Sequence, residues 1–313
     1  MRLTLSDAAL VARELTFTVE GTGARELRLE VSRSARIRLS AGARRLMWAR
    51  VCSGFYGVTF ARSEDASSPG FLPPFRADEA RRHQDRAWWM RRIASGLAES
   101  PISPLRPGRW QLAHLVADAS DGACFVHPRA GLRSVGPLTV LDLLEAAAAP
   151  STRDDDFGGH GSWSVWPLRR PSDADEARVK AWRKHAVEGT LPPVVLWSVS
   201  GLQSHLLLDG HDRLVAARSA GVTPDVVLLW RVHETPPTEE RMARAAHAYT
   251  SQFERHPGGR QALNTMLERA FSPTRAPADT FAIGRTDMDD EWDREVASVL
   301  TAEDADALCR ADF

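Results

Sequence analysis

Hydrophobic and polar residues alternate along the first 60 residues with the two-residue period of β-strands. Four runs follow this alternation: LTFTVE (15–20), ELRLEVS (26–32), ARIRLS (35–40) and GFYGVTFA (54–61). A helix is predicted over residues 77–98, where four large apolar side chains share one face. Strand-like runs at 110–118 and 123–128 and a helix at 138–149 follow. The pattern predicts a β-rich α+β domain over residues 1–150.

The rhythm changes after residues 151–162, STRDDDFGGHGS, which we interpret as a linker or an active-site loop. Whether its Gly-rich residues 158–161 belong to a site is left open. Strands then alternate with helices: WSVWPL, LPPVVLWSV, SHLLLD and PDVVLLWRV are predicted strands, DADEARVKAWRKHAVEG and HDRLVAARSAG predicted helices. We therefore predict an α/β core over residues 163–235 and a helical extension with a polar tail over residues 236–313. The whole chain is predicted to be α+β.

Composition limits the classes of function. Of the 313 residues, 43% are hydrophobic, enough for a sizeable core, and no apolar run approaches the roughly 20 residues that a membrane helix needs. The net charge of −1 argues against nucleic acid as the main partner. The three cysteines lie far apart and form no metal-binding pattern. We expect a cytoplasmic protein without a membrane partner, and the preference for Arg over Lys suggests a bacterial source.

Most candidate catalytic and binding residues lie in residues 206–221, LLLDGHDRLVAARSAG, where a predicted strand passes directly into a predicted helix. The N-terminus of a helix attracts anions, and Gly210 leaves room for one to approach the backbone. The guanidinium of Arg213 suits phosphate oxygens, and His211 can donate a hydrogen bond or transfer a proton. Asp209 could bind Mg²⁺ or accept a proton. The charge of Asp212 repels phosphate unless it points outward or a metal intervenes. These residue types predict a phosphate site.

The same residues resemble a known motif. Asp-Gly-His-Asp-Arg-Leu at 209–214, followed by an Ala-rich helix that ends at Gly221, is similar to the signature of the ParB/sulfiredoxin-like superfamily. Upstream, Gly-Thr-Leu-Pro-Pro-Val-Val at 189–195 resembles the loop and strand that precede this motif in the family. The resemblance covers residues 163–233. It implies a ParB/sulfiredoxin-like core that binds ATP or CTP, with the motif glycine, histidine and arginine on the phosphates.

The resemblance also suggests further contacts and a reaction. Gly189, Thr190, Asp212 and Arg169 join the motif as candidate nucleotide-binding residues. Asp209, His211 and Glu176 are the candidate catalytic residues, with Asp209 also the candidate Mg²⁺ ligand. The leading hypothesis is ATP-dependent phosphoryl transfer, by a kinase or an ATPase-like protein, to a small-molecule or peptide acceptor.

Two alternatives remain open. One is a regulatory switch that binds CTP or ATP and associates with DNA, and the other is a ParB-like nuclease. Sulfiredoxin chemistry is not expected, because the residue before His211 is Gly210 and no cysteine lies nearby. A homodimer is left open, as are the acceptor, the preferred nucleotide and the role of residues 1–150.

Overall fold

The computed structural model describes residues 2–5, 14–21, 26–51, 58–63, 70–115, 151–154, 165–202, 204–255 and 260–302, together with Ala305 and Leu308. These residues form an α+β structure with two mixed sheets and seven helices. The chain divides into two compact units. The first contains Met1–Arg231 and Asp279–Phe313, and the second contains Val232–Ala278.

Seven strands of the larger sheet lie in the order β1-β2-β7-β12-β10-β11-β9. Their ranges are Arg2–Leu5 (β1), Glu14–Glu20 (β2), Gly108–Leu115 (β7), Val165–Pro167 (β9), Val194–Val199 (β10), Ser204–Asp209 (β11) and Val226–Thr235 (β12). β10 runs parallel to β12 and antiparallel to β11, and β9 runs parallel to β11. Strands from before and after residue 150 therefore share one sheet. The sequence pattern did not indicate this, because periodicity identifies strands without identifying their partners.

The smaller sheet has the order β14-β3-β4-β5-β6-β8. Its strands are Leu27–Ser32 (β3), Arg36–Ala41 (β4), Arg44–Val51 (β5), Val58–Arg62 (β6), Ser151–Asp154 (β8) and Ile283–Arg285 (β14). The predicted strands at 15–20, 26–32 and 35–40 are present, and the end of the predicted run 54–61 lies in β6. The predicted strand 123–128, the predicted helix 138–149 and residues 155–162 lie outside the described residues.

The predicted helix over residues 77–98 is two helices. The first, α1, spans Ala77–Arg82, and the second, α2, spans Arg86–Glu99. Between them the backbone of His83 is extended, and the Asp85 carboxylate accepts hydrogen bonds from the amides of Ala87 and Trp88. Asp85 thus caps a new helix where the apolar periodicity alone suggested continuity.

Five further helices complete the described part of the chain: α3 Ala177–Val187, α4 His211–Ala220, α5 Glu239–Arg255, α6 Arg260–Phe271 and α7 Asp289–Val299. In the first unit, α1, α3 and α4 share a small apolar cluster of Ala80, Val179, Trp182 and Ala216. The second unit contains the helices α5 and α6 and an antiparallel pairing of Val232–Thr235 with β13, Thr274–Pro277. Helices α5 and α6 lie within the predicted helical extension, whereas the strands β13 and β14 lie in its predicted polar tail and were not predicted.

A single large hydrophobic cluster contains side chains from both sheets and from α2, including Phe17, Leu39, Ile93 and Trp197. Phe60 of the smaller sheet stacks on Trp166 of the larger sheet, with 4.0 Å between ring centroids. The two sheets of the first unit therefore share one core. Among the described helices, none combines the length and the apolar character that crossing a bilayer requires.

Candidate functional site

The predicted phosphate-binding turn lies where β11 ends and α4 begins. Asp209 is the last residue of β11 and pairs with Val195 near the start of β10. Gly210 follows with a φ of +100°, a conformation that side chains disfavour, and His211 opens the helix. A Cβ at Gly210 would lie 3.0 Å from Arg213 Nη2 and 3.1 Å from the Cα atom of Val194. The missing side chain therefore makes room for Arg213 and for β10.

Arg213 is a buried brace of this turn. Its Nη2 donates to Asp209 Oδ2 at 2.8 Å and to the carbonyl oxygen of Pro193 at 3.0 Å. The guanidinium carbon lies 4.7 Å from the ring centroid of Phe75 and 5.9 Å from that of Trp182. Its Nε is buried and has no hydrogen-bond partner among the described residues. Arg213 therefore uses Nη2 for hydrogen bonds within the fold. Its positive charge and its unpaired Nε lie at the start of α4.

Asp212 does not point outward. It is 3% exposed, and its Oδ1 accepts from Arg169 Nη2 and from Ser172 Oγ, each at 2.8 Å. Arg178 Nε lies 2.9 Å from Asp212 Oδ2. This carboxylate therefore joins the start of α4 to α3 and to the segment after β9, and both of its oxygens face positive charge.

His211 is the most unusual group of the turn. It is 4% exposed, and its Nε2 has no hydrogen-bond partner among the described residues. Burial lowers the pKa of His211 well below its ordinary 6.5, and the guanidinium groups of Arg169, Arg213, Arg62 and Arg178 lower it further. The imidazole is therefore neutral at pH 7, and a protonated Nε2 would be a buried donor with an unused hydrogen.

The charges around His211 do not balance. Four guanidinium groups influence the imidazole, whereas the described carboxylates that pair with them at this turn are Asp209 and Asp212. With a neutral imidazole, and with Arg62 set aside, Arg169, Arg178 and Arg213 exceed these two carboxylates by one positive charge at the N-terminus of α4, where the helix dipole adds its own positive potential. This arrangement favours an anion.

Three predicted contacts lie elsewhere. Glu176 is exposed at the start of α3, where its Oε1 accepts a hydrogen bond from the amide of Asp173 at 3.2 Å. Gly189, with a φ of +70°, ends α3, and Thr190 Oγ1 lies 2.9 Å from His185 Nδ1. Gly189 and Thr190 line a separate small cleft. Asp209, Gly210, His211, Asp212, Arg213 and Arg169 are brought together as predicted.

The donor set fits an anion better than a metal ion. No group of three or more His, Cys, Asp or Glu side chains with metal-binding geometry occurs in the part of the chain that the structure describes. The Asp209 carboxylate is paired with Arg213, and both oxygens of Asp212 face arginines. Asp209 is therefore poorly placed as a protein ligand for Mg²⁺, which prefers several oxygen ligands.

Two of the four arginines around His211 were not identified from the sequence. Arg62 lies at the end of β6 in the smaller sheet, and Arg178 lies in the first turn of α3. Neither belongs to the DGHDR motif, and both reach the site through the packing of distant segments. Nothing in the local sequence of Arg62 distinguishes it from other strand arginines.

Comparison with protein-family models, with curated proteins and with solved structures finds no match to this chain. The resemblance to the ParB/sulfiredoxin-like superfamily therefore depends on the motif residues alone, and the activity it implies stays a prediction.

Proposed function

We propose that the start of α4 binds the phosphate groups of a nucleoside triphosphate and that the protein transfers or hydrolyses the terminal phosphoryl group. The observation that carries the proposal is the surplus of positive charge from Arg169, Arg178 and Arg213 around a buried, neutral His211 with an unpaired Nε2. A phosphate anion would balance that surplus and accept the hydrogen bond that the imidazole has to give. A neutral ligand would do neither.

Arginine charge at this position also supports the reaction. In phosphoryl transfer the protein contributes mostly positioning and electrostatic stabilisation, because charge spreads over the oxygens of the transferred group. Arg169, with a side chain 28% exposed, and Arg178, at 65%, can turn from Asp212 toward an anion, whereas the buried Arg213 is fixed. Mg²⁺ bound to the nucleotide would supply further charge neutralisation. His211 would orient the phosphate by donating from Nε2.

A second candidate is a switch that binds the nucleotide without turning it over. One observation favours it: the two carboxylates of the turn, Asp209 and Asp212, are both paired with arginines. A carboxylate oxygen that is engaged by an arginine side chain is not available to an acceptor hydroxyl. The switch would use the same phosphate contacts, so the two candidates differ in turnover and not in binding.

Calorimetric titration with inorganic phosphate, ATP and CTP, each with Mg²⁺, tests the proposal. Arg169→Gln should weaken binding of each ligand by about tenfold, since it removes one of the two mobile charges. Arg218→Gln, at the exposed far end of α4, is the matched control and should bind as the wild type does. Detection of released phosphate, or of a phosphorylated acceptor, then distinguishes an enzyme from a switch that binds the nucleotide without turnover. Equal affinities of wild type and Arg169→Gln would contradict the site.

A further inference from the structure

A second polar site lies at the same edge of the larger sheet. It is a cleft of about 40 Å³ whose lining includes His83, Arg86, His114, Thr190, Pro193 and Asp225. A water molecule needs roughly 10–15 Å³ of such space, so the cleft holds about three. A hydroxymethyl or similar group of a few atoms fits, whereas a nucleobase does not.

The cleft and the start of α4 adjoin. β10 and β12 begin together, with Val194 opposite Val226, and the cleft is lined by the residues immediately before them, Pro193 and Asp225. β11 runs antiparallel to β10, so its last residue, Asp209, reaches the same edge. Pro193 borders both places, because it lines the cleft while its carbonyl oxygen accepts from Arg213. A molecule in the cleft and an anion at α4 would therefore lie at the same edge of the sheet and share Pro193 as a border.

Asp225 is the carboxylate of this cleft. Its side chain is 48% exposed, and its Oδ1 lies 3.2 Å from Nε2 of the buried His114 and 4.0 Å from Arg86 Nη2. No hydrogen bond to Oδ2 is found among the described residues. One oxygen is thus anchored and the other is available to a ligand. The contact with His114 holds the pKa of Asp225 below its ordinary value, so the carboxylate is charged at neutral pH.

We infer that this cleft holds the hydroxyl group that receives the phosphoryl group, and that Asp225 accepts its proton. The inference rests on the proposed function. In the step, the hydroxyl proton passes to Asp225 Oδ2 and the hydroxyl oxygen forms a bond to the terminal phosphorus. The bond from that phosphorus to the bridging oxygen breaks, and its electron pair leaves with the nucleoside diphosphate. The acceptor is a small hydroxyl compound, either an aliphatic alcohol or water. His114 is a positioning residue.

Turnover of ATP and CTP with Mg²⁺ by the full chain tests this assignment, with water alone and with glycerol as the probe alcohol. Asp225→Asn should lower turnover roughly 100-fold, the usual contribution of a general base, while the dissociation constant for the nucleotide stays within about twofold. Asp225→Glu should retain part of the activity. Glu240→Gln changes an exposed carboxylate in α5 and is the matched control.

The pH profile separates a positioning role from a structural one. Replacing His114 with Gln should raise the pKa of Asp225, so the acid limb of the turnover profile should move to higher pH. His83 and Arg86 also line the cleft and remain in this variant. Wild-type turnover in Asp225→Asn would overturn the assignment while leaving the phosphate site intact, as would nucleotide binding without any turnover by the wild type. A wild type that neither binds nor turns over nucleotide refutes the proposed function itself.

Discussion

Acidification should destabilise this protein through His211, because the folded chain holds that imidazole in its neutral form. Burial and four surrounding arginines place the pKa of His211 well below 6.5. The unfolded chain imposes no such cost, so its imidazole binds a proton as the pH falls through about 6.5. The stability contributed by a neutral His211 is therefore complete above that pH and is lost progressively below it.

The size of the loss follows from the proton bound by the unfolded state. At pH 5 an imidazole with a pKa of about 6.5 stabilises the unfolded chain by about 2 kcal/mol, against about 0.2 kcal/mol at pH 7. The folded chain gains little of this because His211 resists protonation. The free energy of unfolding should therefore fall by close to 2 kcal/mol from this residue alone. Bound phosphate should weaken the dependence, since an anion beside the imidazole offsets the repulsion from the arginines.

Urea unfolding at pH 7, 6 and 5 measures this contribution as the difference between the wild type and His211→Gln. The glutamine keeps an N–H donor but does not titrate, so the wild type should lose stability relative to the variant as the pH falls. His247→Gln, at an exposed position of α5, controls for the loss of an imidazole. A difference that stays flat, or one that favours the wild type at pH 5, would refute a neutral His211 and with it the charge argument for the site.

Two further substitutions test the structure around the site and at the C-terminal helix. Gly210→Ala should lower the free energy of unfolding by about 2–4 kcal/mol because its Cβ meets Arg213 and the backbone of β10, whereas Gly189→Ala, with open space around it, should cost about 1 kcal/mol; thermal and urea denaturation compare them. Glu295→Gln should cost about 1–3 kcal/mol, because its carboxylate accepts from Trp48 Nε1 at 2.9 Å and from Arg45 Nε at 2.7 Å. The pKa of Glu295 is lowered, so its contribution is present near neutral pH and should vanish as the pH falls through that pKa; an equal cost at pH 7 and pH 3 would contradict this.

Much of the secondary structure could be predicted from periodicity, and the sheet partners could not. The strands at 15–20 and 194–199 carry clear apolar patterns, and both are present in the larger sheet. Nothing in either pattern states that they share a sheet, because strand pairing depends on distant contacts that a local period does not encode. The break between α1 and α2 was detectable in principle, since Asp85 is a favoured N-cap, but the apolar face continues across it.

For the candidate site, likewise, the sequence indicated the location but not the contacts between side chains. The motif at 209–213 indicated the turn, and Arg169, also a candidate from the sequence, donates a hydrogen bond to Asp212 in that turn. The hydrogen bonds within the site were not predictable, because the sequence alone does not show that Arg213 donates to Asp209 and to the carbonyl oxygen of Pro193. Asp225 was overlooked for the same reason: it precedes an ordinary apolar strand, and its significance appears only where His114 of β7 meets it.

The paired carboxylates explain how this turn can be both stable and receptive to an anion. Four guanidinium groups around a buried imidazole would repel one another strongly without compensation, since burial weakens solvent screening. Asp212 offsets this by lying between Arg169 and Arg178, and Asp209 does the same for Arg213. Complete compensation of the arginine charges would abolish the attraction for phosphate. A turn without any compensating carboxylate would destabilise the fold. Asp209 and Asp212 do not fully offset Arg169, Arg178 and Arg213, so a partial positive charge remains for an anion to balance. Arg169 and Arg178 retain solvent contact and can turn toward that anion.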